Sequence, residues 1–169
     1  TAGTGAINGG IEIELAEGWK TYWRMPGEAG VPPQFEWTGS KNVASVQVQY
    51  PAPQRIPEAG AETVGYKTRV PFPIAAKATV PGKPMDLKLE AEFGVCKDIC
   101  VPAQATLPLE LPVATRSSPL PPVLAAAARL VPMPATAGEK DQPVPVSSTA
   151  RLDGPAPQLA AAALLALVA

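Results

Sequence analysis

The chain has 169 residues, with 14 basic against 15 acidic side chains and a net charge of −1, so it has no broad electrostatic attraction for nucleic acid or an anionic membrane. It contains no histidine, which removes the usual general base, the usual zinc ligand and every Ser-His or Cys-His nucleophile. A hydrophobic content of 46% supports a buried core, while 22 prolines and 14 glycines interrupt it too often for long helices and favour short strands joined by turns.

No basic segment followed by an apolar run opens the chain, so no signal peptide is read in it. Ile11, Ile13 and Leu15 alternate with Glu12 and Glu14, the period of a strand with one buried and one wet face. Trp19 to Arg24 is aromatic and β-branched enough for a second strand, which Met25-Pro26-Gly27 ends. Phe35-Glu36-Trp37 and Val43 to Tyr50 form two more, separated by a Thr-Gly-Ser turn. Ala52 to Val64 is small, polar and turn-rich, and reads as a surface loop. Arg69 to Ala75 contains Pro71 and Pro73, so a strand there is expected at an edge or with a bulge. Met85, Leu87 and Leu89 alternate with charged residues and run on to Phe93, and Thr106 to Leu111 supplies a last strand. About seven short strands predict an all-β, immunoglobulin-like sandwich.

Beyond Pro112 the composition changes. Leu124 to Leu130 reads as a short helix opened by Pro121-Pro122, Ala135 to Ser148 as a linker, and the Ala/Leu tail resists assignment. Leu159 to Ala169 is apolar but shorter than the about 20 residues that span a bilayer. The expected division is therefore a sandwich over 1–112, and over 113–169 a short helix, a linker and the start of a second domain or membrane segment.

The chemistry-bearing stretch is Phe93 to Pro102, which holds the only two cysteines, Cys96 and Cys100. On a straight strand, residues four apart lie about 13 Å from each other, beyond the roughly 4.4–6.8 Å between α-carbons that a disulfide tolerates. The segment must bend over Lys97-Asp98-Ile99 if the two pair. Three readings stand: a redox pair, a structural staple, or a two-thiolate copper(I) site. A ring of about 5 residues stabilises by only roughly 2 kcal/mol in the chain-entropy model, which makes a pure staple the weaker purpose. A metal needs more ligands, and Met25, Met85 and Met133 stand at no recognisable spacing. Lys97 favours thiolate formation while Asp98 opposes it.

Gly18-Trp19-Lys20-Thr21-Tyr22-Trp23-Arg24, Gly65-Tyr66-Lys67-Thr68-Arg69-Val70-Pro71-Phe72-Pro73 and the Cys96 to Pro102 stretch occur in an order that resembles the DsbD amino-terminal domain family, in particular its ScsB-like branch. The resemblance covers roughly Ile7 to Leu111. It implies a periplasmic thiol:disulfide oxidoreductase of the protein-disulfide reductase type, with links to copper tolerance and no required cofactor. Its implied partners are thioredoxin-fold proteins as electron donor and acceptor, isomerases or peroxidases as clients, and a membrane electron-conducting domain through which a longer chain would be tethered. It further implies that Cys100 forms the mixed disulfide and Cys96 resolves it. Tyr22 and Tyr66 fall where the family places a tyrosine near the pair, and a phenol there would donate a hydrogen bond to a thiolate. Phe93, Lys97 and Asp98 complete the expected supporting residues, and no metal site is expected.

Two departures accompany the resemblance. Better-known members space the cysteines more widely and cover them with an aromatic cap loop, whereas Ile56 to Val64 holds no aromatic. Trp19, Trp23, Phe35 and Trp37, with Tyr22, Tyr66 and Phe93, are candidates for either core or site lining. Glu28, Glu36, Glu58 and Glu62 read as solvated surface, and Gly27-Glu28-Ala29-Gly30 lacks the context of a phosphate loop.

Overall fold

A computed structural model of the chain describes residues 5–58, 60–111, 120–132 and 163–168. Its strands form two sheets. The first has the order β10 (Ala163–Val168), β1 (Ala6–Leu15), β7 (Arg69–Ala78) and β4 (Val43–Val48). The second runs β3 (Gln34–Glu36), β8 (Met85–Cys96), β2 (Lys20–Gly27), β6 (Ala61–Lys67) and β5 (Gln54–Glu58), with β9 (Cys100–Leu111) along the other side of β8. The all-β, immunoglobulin-like expectation holds.

The two sheets enclose one apolar layer. Ile11, Ile13 and Leu15 of β1 and Val70, Phe72 and Ile74 of β7 meet Leu89, Ala91, Phe93 and Val95 of β8. Phe72 sits at its centre with Phe35, Tyr50 and Tyr66 against it at 5.4, 5.3 and 5.5 Å in tilted-edge contacts. The alternation read in β1 and β8 sorts their apolar residues inward, as a period of two requires.

Two expectations are corrected. The segment from Ala52 to Val64 is a hairpin rather than a loop, with β5 and β6 paired from Gln54↔Gly65 to Glu58↔Ala61. β5 lies at the sheet edge, so Pro57 interrupts no inner ladder, and Ile56 and Thr63 are buried beneath it. β7 is an inner strand between β1 and β4, despite Pro71 and Pro73. The Pro73 carbonyl accepts from Gln49 N on the β4 side, so the proline nitrogens point there and the ladder to β1 loses no donor. β4 ends at Val48, opposite Ile74, and the prolines lie at and beyond that end.

The helix α1 (Pro122–Arg129) starts with proline in its first turn and packs Leu124 and Ala127 against the first sheet. Leu124 lies directly over Gly10 of β1, where an added Cβ would stand 2.1 Å from Leu124 Cδ2. The tail contributes β10, whose backbone pairs with β1 from Gly10↔Val168 to Leu15↔Ala163. The expected linker from Ala135 to Ser148 lies outside the described residues.

Candidate functional site

β8 and β9 form one hairpin of twelve residues per strand, in unbroken register from Met85↔Leu111 to Cys96↔Cys100. Lys97, Asp98 and Ile99 make the turn, closed by Lys97 N donating to Ile99 O at 3.1 Å. That bond leaves Cys96 and Cys100 as a non-hydrogen-bonded pair, the kind that brings opposite α-carbons to about 4.5 Å and side chains closest. Here the α-carbons are 4.1 Å apart and the sulfurs are joined in a disulfide. Pro102 and Pro108 share the phase of Cys100 on β9, which has no strand paired on its outer side among the described residues, so neither proline costs a ladder bond.

Directly opposite residues in an antiparallel ladder share a face. Lys20 lies opposite Cys96, whereas Thr21 lies opposite both Val95 and Tyr66. The cysteines therefore belong to the outer face of the second sheet, and Val95, Thr21 and Tyr66 to the core face. Thr21 fastens β2 to β8 by donating Oγ1–H to Gly94 O at 2.8 Å.

On the outer face the Tyr22 hydroxyl donates to Cys96 Sγ at 3.0 Å and stands 3.5 Å from Cys100 Sγ. Tyr22 is buried. Burial, then the nearby Glu58 carboxylate, raise the tyrosine above its ordinary pKa, so it stays protonated and able to donate at neutral pH. Glu58 is also ion-paired with Lys20, with side chains 22% and 13% exposed. This corrects the reading of Glu58 as solvated surface: the hairpin that sequence reasoning took for a loop carries it to the site. Glu62 does face solvent, paired with Arg55 at 2.9 Å.

The two sulfurs differ in access. Cys96 is 2% exposed, whereas Cys100 is exposed at the start of β9. A cleft of about 460 Å³ opens beside them, between Gly30-Val31-Pro32 on one side and Cys100 to Gln104 on the other, with Gly94 and Tyr22 also in its wall. Gln34, Glu92 and Gln104 form its polar end, where Gln104 Nε2 donates to Glu92 Oε1 at 2.8 Å.

Of the expected supporting residues, Tyr22 is brought to the sulfurs. Phe93 reaches the cleft wall but packs in the core, and Lys97 and Asp98 are exposed at the hairpin tip beside Ile99. Tyr66 is a correction: it faces the core, and its single hydroxyl hydrogen goes to Pro51 O at 2.8 Å. The remaining aromatic candidates, Trp19, Trp23, Phe35 and Trp37, pack against the core. Sequence reasoning missed Lys20, Gly30, Val31, Gln34, Gly94 and Gln104. Lys20 and Gly94 share the phase of Cys96 in their ladders, the one signal that could have found them. Among the described residues no group of three or more Cys, Asp or Glu converges as a metal site, and no helix is long and apolar enough to cross a membrane.

A family model described as the thiol:disulfide interchange protein DsbD, N-terminal, matches residues 2–112. The chain belongs to the DsbD amino-terminal domain family. Its structure is similar to the crystal structure of the N-terminal periplasmic domain of ScsB from Proteus mirabilis, with 31% identity and a TM-score of 0.59 over 76% of this chain and 50% of that one. The chain thus spans about half the length of that ScsB domain. No curated protein sequence matches it. Membership in the DsbD family together with the Cys96–Cys100 disulfide makes this a thiol:disulfide interchange domain.

Proposed function

We propose that the chain relays electrons in the periplasm from a thioredoxin-like donor to oxidised proteins, through the Cys96–Cys100 pair and without a cofactor. In a longer protein, a membrane electron-conducting domain is the natural source for the donor. The observation that carries this reading is the unequal access of the two sulfurs, one buried under a phenol and the other open beside a cleft.

A donor thiolate attacks Cys100 Sγ, forming a new S–S bond while the Cys96–Cys100 bond breaks and its electron pair goes to Cys96 Sγ. The leaving thiolate forms where Tyr22 already directs its hydroxyl, so its charge meets a donor without rearrangement. The donor's second thiolate then attacks its own sulfur in the mixed disulfide and releases Cys100 as a thiolate. The donor leaves oxidised by two electrons, and the domain is reduced by two. Delivery reverses the sequence: Cys100 attacks a client disulfide, and Cys96 then displaces the client as a dithiol.

The roles of the cysteines are tested by trapping. In periplasmic extract, Cys96→Ser should accumulate stable mixed disulfides through Cys100, because nothing remains to resolve them, and Cys100→Ser should accumulate few. Capture by Cys100→Ser alone would reverse the assignment, and capture by neither variant would remove the relay.

A further inference from the structure

The segment that leaves β2 and reaches β3 comes down over Tyr22 beside the redox pair, and a glycine makes the contact. Gly30 has φ +124, and a Cβ built on it would stand 2.5 Å from Tyr22 Cδ1 and 2.6 Å from Cε1. The backbone therefore lies on the face of the phenol ring, where no side chain fits, and it does so in a conformation that L side chains rarely adopt. Beneath it, a Cβ on Gly94 would stand 3.3 Å from Val31 Cβ and 3.7 Å from Tyr22 Cδ2, two residues before Cys96 on the same strand. Gly30, Val31 and Pro32 form one wall of the cleft that both cysteines line.

We propose that residues 28–33 are the lid of this disulfide and that Gly30 is a positioning residue, pressing the Tyr22 ring so that its hydroxyl stays on the sulfurs. The β5–β6 hairpin holds no aromatic between Ile56 and Val64 and reaches the site through Glu58, which is ion-paired with Lys20. The lid lies on the Tyr22 ring, whose hydroxyl reaches Cys96, and Cys96 is buried while Cys100 is exposed, which matches one sulfur to resolving and the other to exchange. Val31, 56% exposed, holds an apolar side chain in water at the cleft rim, where closing on Gly94 and admitting a partner beside Cys100 are compatible. The significance of the lid for electron transfer rests on the relay proposed above, but the lid itself is measurable without any partner.

The test follows iodoacetamide alkylation of each thiol in the reduced full chain as a function of pH, with sites assigned by mass spectrometry. Gly30→Ala should raise the apparent pKa of Cys96 by about one to two units, the size expected when a hydrogen bond to a thiolate is lost. Tyr22→Phe should do the same, and Gly30→Ala placed in the Tyr22→Phe chain should add nothing. That lack of additivity separates positioning of the phenol from a general loosening of the fold. Val31→Ser, which leaves the glycine in place, should speed Cys96 alkylation several-fold with its pKa unchanged. An unshifted Cys96 in Gly30→Ala, or a shift of equal size with and without the Tyr22 hydroxyl, would overturn the positioning role. A Cys96 rate unmoved by Val31→Ser would overturn the lid, a result that holds even if Gly30→Ala does not fold. The predicted shifts in a protein that exchanges with no thioredoxin-fold partner would keep the lid and remove the relay.

Discussion

Tyr22 and Cys96 approach each other from neighbouring strands, with the phenolic hydroxyl 3.0 Å from Sγ on the face of the sheet turned away from the core. Only half a pleat separates this arrangement from an ordinary core tyrosine. Tyr66, held one step out of phase on β6, spends its hydroxyl on a backbone carbonyl inside the sandwich.

Removing the hydroxyl should therefore affect thiol chemistry more than folding. Tyr22→Phe keeps the ring under Gly30 and deletes the donor, and a hydrogen bond to a charged sulfur contributes about 1.5–3 kcal/mol. The reduced chain should show its buried thiol titrating about one to two units higher, read by thiolate absorbance at 240 nm. Release of Cys96 from the disulfide by a model dithiol should slow by about tenfold or more. An unchanged titration would show that the phenol serves packing alone.

Tyrosine burial sets an alkaline limit. Tyr22, Tyr50 and Tyr66 are all raised above their ordinary values, chiefly by burial. Below about pH 10 these phenols are protonated both in the folded and in the unfolded chain, and they add no pH dependence. Above it the unfolded chain loses phenolic protons that the folded chain retains, so stability should fall as pH rises further. Denaturant midpoints should be flat with respect to these groups up to about pH 10 and should then drop. Tyr66→Phe should flatten part of that drop, and an identical alkaline slope in the variant would contradict the assignment.

The helix after residue 112 is predicted to be part of the sandwich's stability. Leu124 is 1% exposed and sits on Gly10 of β1. Leu124→Ala should lower the unfolding free energy by about 2–4 kcal/mol, in a single transition monitored by circular dichroism. A loss below about 0.5 kcal/mol, the usual range of surface substitutions, would mean that the helix packs independently of the core.

The legible parts of this fold were those in which one physical signal ruled. Ile11-Glu12-Ile13-Glu14-Leu15 and Met85 to Leu89 alternate cleanly, because each strand has one wet and one buried face. The cysteine segment was legible because sulfur spacing demands a bend, and a tight hairpin supplies it. Three features were hidden by context. The segment Gln54 to Glu58 contains a proline and few apolar residues, and it becomes a strand only because it is an edge with β6 to pair. β7 reads as an edge from sequence because proline cannot donate to a ladder, whereas in the fold both prolines point toward the side where β4 has ended. The lid was missed because a glycine that contacts a ring through its backbone leaves no side chain in the sequence to announce the contact.

The proposed relay requires the Cys96–Cys100 bond to be one that a biological dithiol opens and closes. Incubating the oxidised chain to equilibrium with defined ratios of reduced and oxidised thioredoxin, whose potential is about −270 mV, and counting reduced cysteines after acid quench, measures this directly. Substantial populations of both forms are expected across those ratios, with the pair following the donor in each direction. A disulfide that stays intact against excess reduced thioredoxin, as expected for potentials well below about −300 mV, would contradict it and leave the bond a structural clasp.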